Sequence, residues 1–197
     1  DRRPRCPEAL SPPVAEGEEH DWEIIAQRDP YFGVLSSPAF RSGAITPEAR
    51  QHFYGTGDED IARLLGWFDQ DIAARPSSGR ALDIGCGVGR LTHAIAKIVP
   101  AVSGYDVAES MLAIARKHLE ALNAPGSWEL VEADARALGE PDGEADLAIA
   151  GWVFGHLRHW LPDGWREAIG GALDEMKRTL KPGGALIIIE TLGTGRE

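Results

Sequence analysis

The chain has 197 residues and carries 31 Asp and Glu against 20 Lys and Arg, a formal net charge of -11. This acidity argues against nucleic acid as the main partner, because binding a phosphate backbone depends on clustered positive charge. The length suits one compact domain. Cys6 and Cys86 lie far apart, so neither a disulfide framework nor a metal site is suggested. With no apolar stretch of about 18 residues and no signal-like start, we expect a soluble, cytoplasmic protein without a membrane partner.

Two segments precede the predicted domain. Residues 1–20 are rich in proline and charge and have no hydrophobic period, which predicts a flexible N-terminal arm. Residues 21–57 hold aromatic side chains between prolines and predict a helical lid over a pocket. The domain at 58–197 opens with an amphipathic helix that we expect to end near Pro76. The aromatic side chains expected in the lid are Tyr31, Phe32, Phe53 and Tyr54.

From residue 80 onward, predicted strands and helices alternate. The strands are RALDIG, AVSGYD, WELVEAD, ADLAIAGWVF and GALIIIET. The helices are GRLTHAIAKIV, AESMLAIARKHLEAL and GWREAIGGALDEMKRTL, and KPGG at 181–184 supplies a stop before the last strand. This order predicts an α/β fold with a Rossmann-like, doubly wound, mostly parallel sheet.

The stretch ALDIGCGVGR at 81–90 places three glycines between the first strand and its helix. Glycine adopts positive φ and has no Cβ, and ligands of such folds bind at the carboxyl end of the sheet. We therefore expect a nucleotide or nucleoside ligand. The dinucleotide pattern is GxGxxG, but Arg90 stands at its third glycine, and Asp83 would repel a pyrophosphate while suiting a cationic amine. These residues disfavour a nicotinamide dehydrogenase.

The segment LDIGCGVGRLT resembles the first motif of class I S-adenosylmethionine-dependent methyltransferases, and the resemblance continues in chain order over residues 58–192. It implies the class I fold, S-adenosylmethionine as cofactor and S-adenosylhomocysteine as product. It also implies direct displacement at the methyl carbon, which we expect to serve a small-molecule acceptor. The expected cofactor-binding residues are Asp83, Gly85, Cys86, Gly87, Gly89, Arg90, Asp106, Val107, Met111, Asp134, Ala135, Gly151, Trp152 and, from the lid, Tyr54.

The resemblance implies roles for several of these residues. Asp106 ends the second strand, where the family's acid holds the ribose hydroxyls, and a carboxylate can accept hydrogen bonds from both hydroxyls. Asp134 would lie near the adenine amino group, with the Ala135 N–H beside the ring. Gly151 and Trp152 would border the methionyl part and the transferable methyl.

The residues alone leave other interpretations open. Asp83 would cap the glycine loop by accepting backbone N–H groups, and Asp134 would be a turn acid that caps a short helix. Cys86 would be a small filler. Arg90, at a helix start where the dipole does not favour a cation, would reach across the loop or pair with an acid.

Methyl transfer needs no protein nucleophile, because most of the rate comes from aligning the reactants in a dry pocket. A hydroxyl or acidic carbon as acceptor would be helped by a general base, and the candidate is His156 in FGHLRHW, which follows the fourth strand. His159 is the weaker candidate, and a histidine near a helix start can instead be structural or exposed. The aromatic side chains nearby are either core or a pocket wall for an apolar acceptor: Trp152, Phe154, Trp160 and Trp165.

The sequence departs from the family at its end. The class I fold completes its sheet with a strand hairpin after the fifth strand, and residues 58–197 stop before it. We therefore expect a C-terminally incomplete domain, or a sheet completed by a partner chain, as in a homodimer. Two other functions stay open: methylation of a protein or tRNA residue, and a non-catalytic, cofactor-binding partner subunit.

Overall fold

The computed structural model of the chain describes residues 18–71, 79–161 and 163–190. The predicted N-terminal arm lies outside these ranges except for its last residues, and so does the predicted helix end near Pro76. The described residues are built on one sheet with helices on both faces.

The sheet has five parallel strands. They are β1 (Arg80–Ile84), β2 (Ala101–Asp106), β3 (Ser127–Glu132), β4 (Ala145–Gly151) and β5 (Leu180–Ile189), in the spatial order β3-β2-β1-β4-β5. The chain moves outward from β1 to β3 and then crosses to the other side of β1. The order therefore switches between β1 and β4, where open α/β sheets bind ligands. The predicted fold class is confirmed.

The helices cover both faces of this sheet. They are α1 (Glu18–Arg28), α2 (Pro30–Val34), α3 (Pro47–Asp71), α4 (Arg90–Ile95), α5 (Glu109–Leu122), α6 (Phe154–Trp160) and α7 (Trp165–Thr179), with a 3-10 turn at Pro38–Phe40. Met176 of α7 shares one buried cluster with Leu82 of β1. Ile61 of α3 shares another with Ala81, the neighbouring strand residue. Successive strand residues point to opposite faces, so β1 is buried on both sides.

A third buried cluster ties the predicted lid to the rest of the molecule. The Tyr31 and Phe53 rings meet edge to face, with centroids 5.1 Å apart. They share the cluster with Val88 of the glycine loop and Met111 of α5. The aromatic side chains between the prolines therefore form a small core of their own, which places α1 and α2 above the end of the sheet.

The predicted boundary between residues 57 and 58 falls inside α3, which runs through it as one helix of 25 residues. A Cβ on Gly57 would lie 2.3 Å from the Arg90 carbonyl oxygen, so the missing side chain lets α3 rest directly on the start of α4. Glycine inside a helix costs about 0.5–1 kcal/mol relative to alanine. This close approach explains why glycine stands there.

Two strand ends differ from the sequence-based expectation. The expected fourth strand ran through Phe154, but β4 ends earlier and α6, which was not predicted, begins at that residue. The reason is Trp152, whose φ of 59° turns the chain out of the sheet. β5 begins at Leu180 and takes in the predicted stop at 181–184, since it pairs with β4 from its first residue across a register shift. A proline is tolerated in an edge strand.

β5 is the last strand in the described ranges, and one of its faces is open. Leu186 and Ile188 are 36% and 43% exposed, whereas Ile187 and Ile189 pack inward against the cluster beneath α3 and α4. An exposed apolar edge strand is prone to pairing with another strand.

Candidate functional site

A cavity opens at the carboxyl ends of β1 to β4, beneath α1 and α2. It coincides with the switch point of the sheet, where a ligand is expected. His156 and most of the predicted cofactor-binding residues lie in its wall. The lining residues are Trp22, Gly33, Val34, Gly85, Gly87, Asp106, Val107, Met111, Ala133, Asp134, Ala135, Gly151, Trp152, Val153, His156 and Leu157.

The glycine loop forms one wall in the conformation that its sequence predicts. Gly85, Gly87 and Gly89 have φ values of 66°, 54° and 81°, in the left-handed region that favours glycine. A Cβ on Gly85 would lie 2.4 Å from Val153 Cγ2, and one on Gly87 would lie 2.8 Å from Val34 Cγ2. The bare backbone therefore lets the opposite walls approach the loop closely.

Asp106 joins this loop to the start of α5. Its carboxylate accepts the Gly87 N–H at 2.8 Å and the Ala108 N–H at 3.0 Å. Burial raises the pKa of Asp106 above its usual value, while these backbone donors oppose the shift. A carboxylate has about four lone-pair sites, so Asp106 can accept further hydrogen bonds from the cavity that it lines.

An acid from the lid caps α5 beside this position. The N-cap residue Ala108 provides no side-chain cap, and the Glu23 carboxylate instead accepts the Ser110 N–H at 3.3 Å and the Ser110 hydroxyl. Negative charge is favourable at a helix N-terminus. This contact fixes α1 over the cavity.

Asp134 lies in the wall and also forms the turn that the sequence suggested as an alternative. Its Oδ1 accepts the Arg136 backbone N–H at 2.7 Å and the Arg136 Nε at 2.8 Å. The Asp134 carbonyl accepts the Ala137 N–H at 2.9 Å. The two interpretations of Asp134 are therefore compatible, and Ala135 next to it also lines the cavity.

The residues after β4 form the wall on the other side. Gly151 and Trp152 line the cavity, and the Trp152 N–H donates to the Ile189 carbonyl at 2.7 Å. His156 of α6 meets the Trp22 ring of α1 edge to face, with centroids 4.9 Å apart and an interplanar angle of 83°. The candidate base therefore lies where α1 and α6 meet over the cavity.

Asp83 and Cys86 do not line the cavity but lie buried behind the glycine loop. Asp83 is 1% exposed and accepts the Thr92 hydroxyl at 2.6 Å. Burial raises the pKa of Asp83 to about 7. Cys86 is a buried free thiol whose pKa burial also raises, which fits a small filler. Asp83 is thus bonded to α4 and lies outside the cavity wall, and its role toward the cofactor stays a prediction.

Gly89 at the end of the loop, and Arg90 and Tyr54 behind it, do not lie in the cavity wall. Gly89 is the N-cap of α4. The Arg90 guanidinium pairs with Asp60 of α3 at 2.8 Å. The Tyr54 hydroxyl donates to the Val88 carbonyl at 3.0 Å, and burial raises the pKa of that phenol. The Arg90 and Tyr54 side chains therefore contact other parts of the protein.

Several residues of the cavity wall, half of them from the lid, were not predicted from the sequence. The predicted lid aromatics pack beneath or beside the lid: Tyr31, Phe53 and Tyr54 are buried in the third cluster, and the Phe32 ring lies 3.8 Å from Arg41 Cζ. Of the aromatic set near His156, Phe154 is core, Trp165 lies outside the wall, and the Trp160 side chain lies outside the described part. The lining residues that were missed are Trp22, Gly33, Val34, Ala133, Val153 and Leu157.

The described ranges contain neither a membrane-spanning helix nor a cluster of metal ligands. None of the helices there is both long and apolar enough to cross a membrane. No group of three or more His, Cys, Asp or Glu side chains is placed to hold a metal ion in the same ranges. For the whole chain, the expectations of no metal and no membrane partner stay predictions.

Comparison with known proteins connects this geometry to a family. Residues 82–188 match the protein family described as a methyltransferase domain. The chain belongs to this family. The match runs from β1 into β5 and takes in the glycine loop, Asp106 and Asp134. The predicted family is thereby confirmed, and the matched range contains most of the residues that line the cavity.

Two curated relatives have similar sequences. The ubiquinone/menaquinone biosynthesis C-methyltransferase UbiE of Ectopseudomonas mendocina is 32% identical over 133 residues, which are 66% of this chain and 48% of the relative. The demethylmenaquinone methyltransferase of Thermus thermophilus is 34% identical over 122 residues, 61% of this chain and 50% of the relative. The chain thus spans about half the length of the curated relatives it matches.

A solved structure shares the fold. Phosphoethanolamine N-methyltransferase 1 of Haemonchus contortus, in complex with phosphoethanolamine and S-adenosylhomocysteine, has a TM-score of 0.65 and 16% identity. The similarity covers 94% of this chain and 35% of that chain. At this identity the likeness shows the fold, and it agrees with the class I arrangement.

Proposed function

We propose that this chain binds S-adenosylmethionine and transfers its methyl group to a small, largely apolar acceptor. The observation that carries the proposal is Asp106, whose carboxylate faces the cavity while it accepts the Gly87 N–H. An acid at the end of the second strand, beside a glycine loop, suits a ligand that offers hydroxyl donors, such as the two hydroxyls of a ribose. S-adenosylmethionine offers these hydroxyls.

The residues around the cavity fit this cofactor. Gly85 and Gly87 let Val153 and Val34 pack directly against the loop beside the cavity. Asp106 would hold the ribose hydroxyls, Asp134 would face the adenine, and the backbone at Gly151 would border the methionyl part. When bound, S-adenosylmethionine supplies a methyl group on a positively charged sulfur, which makes that carbon electrophilic.

The side of the cavity formed by α1, α2 and α6 supports an apolar acceptor. Its side chains include Trp22, Val34, Val153 and Leu157. None of the described residues that line the cavity is Lys or Arg. A phosphate or carboxylate on the acceptor would therefore lose its hydration without gaining a counter-charge from a Lys or Arg side chain, which is costly.

The curated relatives agree with a small-molecule acceptor. Their names describe ubiquinone and menaquinone biosynthesis and the methylation of demethylmenaquinone. These names do not favour the alternatives of protein or tRNA methylation or of a non-catalytic subunit. The acceptor of this chain is proposed here only as a class, an uncharged molecule with apolar bulk.

His156 is proposed as the general base. It is a polar side chain on the apolar side of the cavity, and the edge contact with Trp22 orients its ring. A neutral imidazole nitrogen would take the proton of an acceptor hydroxyl or acidic carbon as the new bond to methyl forms. General-base catalysis of this kind contributes about 10²- to 10⁴-fold in rate.

The test is methyl transfer from tritiated donor to a panel of neutral phenols and hydroquinones, each paired with an analogue that carries a carboxylate. We expect transfer to neutral acceptors and a kcat/KM at least about tenfold lower for the charged analogues.

His156→Gln should lower kcat by about 10²-fold or more while leaving S-adenosylhomocysteine affinity intact. His52→Gln, at an exposed position of α3, is the control, and we expect it to transfer methyl at the wild-type rate. Preference for the charged analogues, or equal rates for the two variants, would contradict the proposal.

A further inference from the structure

Trp152 occupies an unusual backbone position in the cavity wall. Its φ is 59°, and Asn123 is the only other non-glycine residue with positive φ in the described ranges. Asparagine adopts this region readily, but a bulky aromatic residue is an outlier there and persists only where its surroundings hold it. The N–H bond to the Ile189 carbonyl fixes the backbone at this turn. The indole is held by other contacts.

Arg90 supplies one of these contacts. Its Cζ lies 4.8 Å from the Trp152 ring centroid, within the range of about 6 Å for a cation–π contact. The guanidinium is 3% exposed, and its Nη1 donates to Asp60 at 2.8 Å and to Thr56 at 3.1 Å. Its Nη2 is buried and has no hydrogen-bond partner. The Trp152 ring lies against this guanidinium, and a cation–π contact offsets part of the cost of burying a charge with one unpartnered nitrogen.

An arginine at position 90 is explained neither by the stability of α4 nor by contact with a ligand in the cavity. Arg90 is the first residue of α4, and the helix dipole disfavours a cation there. The side chain does not line the cavity. Asp60 of α3 balances its charge, so the ion pair makes a buried cation tolerable beneath the Trp152 ring.

We infer that Arg90 is a positioning residue: its guanidinium, balanced by Asp60, holds the Trp152 indole in place as a wall of the cavity. Arg90, expected from the sequence to contact the cofactor, would therefore act indirectly, through Trp152. The positioning is a property of the free protein. Its consequence for ligand affinity rests on the proposed function.

A double-mutant cycle tests this role. Arg90→Lys keeps the charge but replaces the planar guanidinium that lies against the ring, so we expect it to weaken S-adenosylhomocysteine binding by about 3-fold or more, as measured by calorimetry. In a Trp152→Leu background the same change should alter affinity by less than about 1.5-fold, since the partner is gone. Arg63→Lys is the control, because Arg63 pairs with the same Asp60 at 3.0 Å but is exposed. Equal losses in both backgrounds would overturn the inference.

Near-UV circular dichroism gives a readout that needs no ligand. The difference between wild type and Arg90→Lys should resemble the difference between wild type and Trp152→Leu, since the first variant frees the Trp152 indole to move and the second removes it, and either change abolishes the signal of an indole held in one orientation. If the wild type does not bind S-adenosylhomocysteine, the proposed function fails while this spectrum still decides the positioning role.

A comparison of Trp152→Phe with Trp152→Leu tests the same contact if Arg90→Lys does not fold. Phe keeps a π face for Arg90 and should retain more thermal stability than Leu, and equal melting temperatures would overturn the inference.

Discussion

At the scale of single residues, two carboxylates near the glycine loop differ because their surroundings differ. Asp106 receives two backbone N–H groups and lines the cavity. Asp83 is almost fully buried behind the loop, where the Thr92 hydroxyl donates to it. Burial raises the pKa of Asp83 to about 7. In the folded protein Asp83 is therefore mostly protonated below that pH, and above it the buried charge lowers the free energy of unfolding.

Asp83→Asn should stabilise the protein, and by more at pH 8 than at pH 5. The pKa of this carboxyl is about 4 in the unfolded chain and about 7 in the folded one. Its contribution to stability is therefore complete below the lower value and is lost as the pH rises to the higher one. The gain in free energy of unfolding should differ by about 2 kcal/mol between the two pH values. Urea unfolding measures it, with the exposed Asp163→Asn as control. An equal gain at both pH values would show that the pKa is not raised.

At the scale of elements, α3 connects the lid to the glycine loop. Its first half carries Phe53 and Tyr54 into the cluster beneath α1 and α2. Its second half places Asp60 on Arg90 and Ile61 against the sheet. The helix passes the start of α4 at Gly57, where the two backbones approach directly. The packing of α3 therefore affects both sides of the loop.

Gly57→Ala should lower the free energy of unfolding by about 1–3 kcal/mol, because the added Cβ forces the helices apart. That Cβ would lie 2.3 Å from the Arg90 carbonyl oxygen, which is backbone and cannot move alone. Gly55→Ala on the same helix is the matched control, since its Cβ would meet nothing within 4 Å. It should gain about 0.5–1 kcal/mol from helix propensity. Thermal and urea unfolding compare the two variants, and changes of the same sign would refute the close contact.

At the scale of the whole molecule, the sequence predicts the sheet and the glycine-loop side of the cavity because their signals are local. Asp106 and the glycines stand at the ends of parallel strands, and these ends meet at one edge of the sheet. Trp22 and Val34 have no such signal. They reach the cavity through the packing of α1 and α2, which depends on the Glu23 contact with Ser110, 87 residues away in the chain.

Tyr54 and Arg90 show that the sequence does not predict which way a side chain beside the loop faces. Both lie next to the glycine loop, as expected, but their polar groups face the protein. The Tyr54 hydroxyl donates to the Val88 carbonyl, and the Arg90 guanidinium pairs with Asp60. Whether a side chain beside a loop faces a ligand or the interior depends on partners from other elements, and the local pattern does not contain them.

The proposed cofactor site is tested most directly by calorimetric titration of the wild-type chain and of Asp106→Asn with S-adenosylhomocysteine. We predict that the wild type binds and that the variant binds about 10- to 100-fold more weakly, because hydrogen bonds to a charged acceptor are worth about 1.5–3 kcal/mol. Asp163→Asn, exposed and away from the cavity, should bind like the wild type. A folded wild-type chain that does not bind, or an Asp106→Asn variant that binds equally well, would contradict the assignment of this cavity to S-adenosylmethionine.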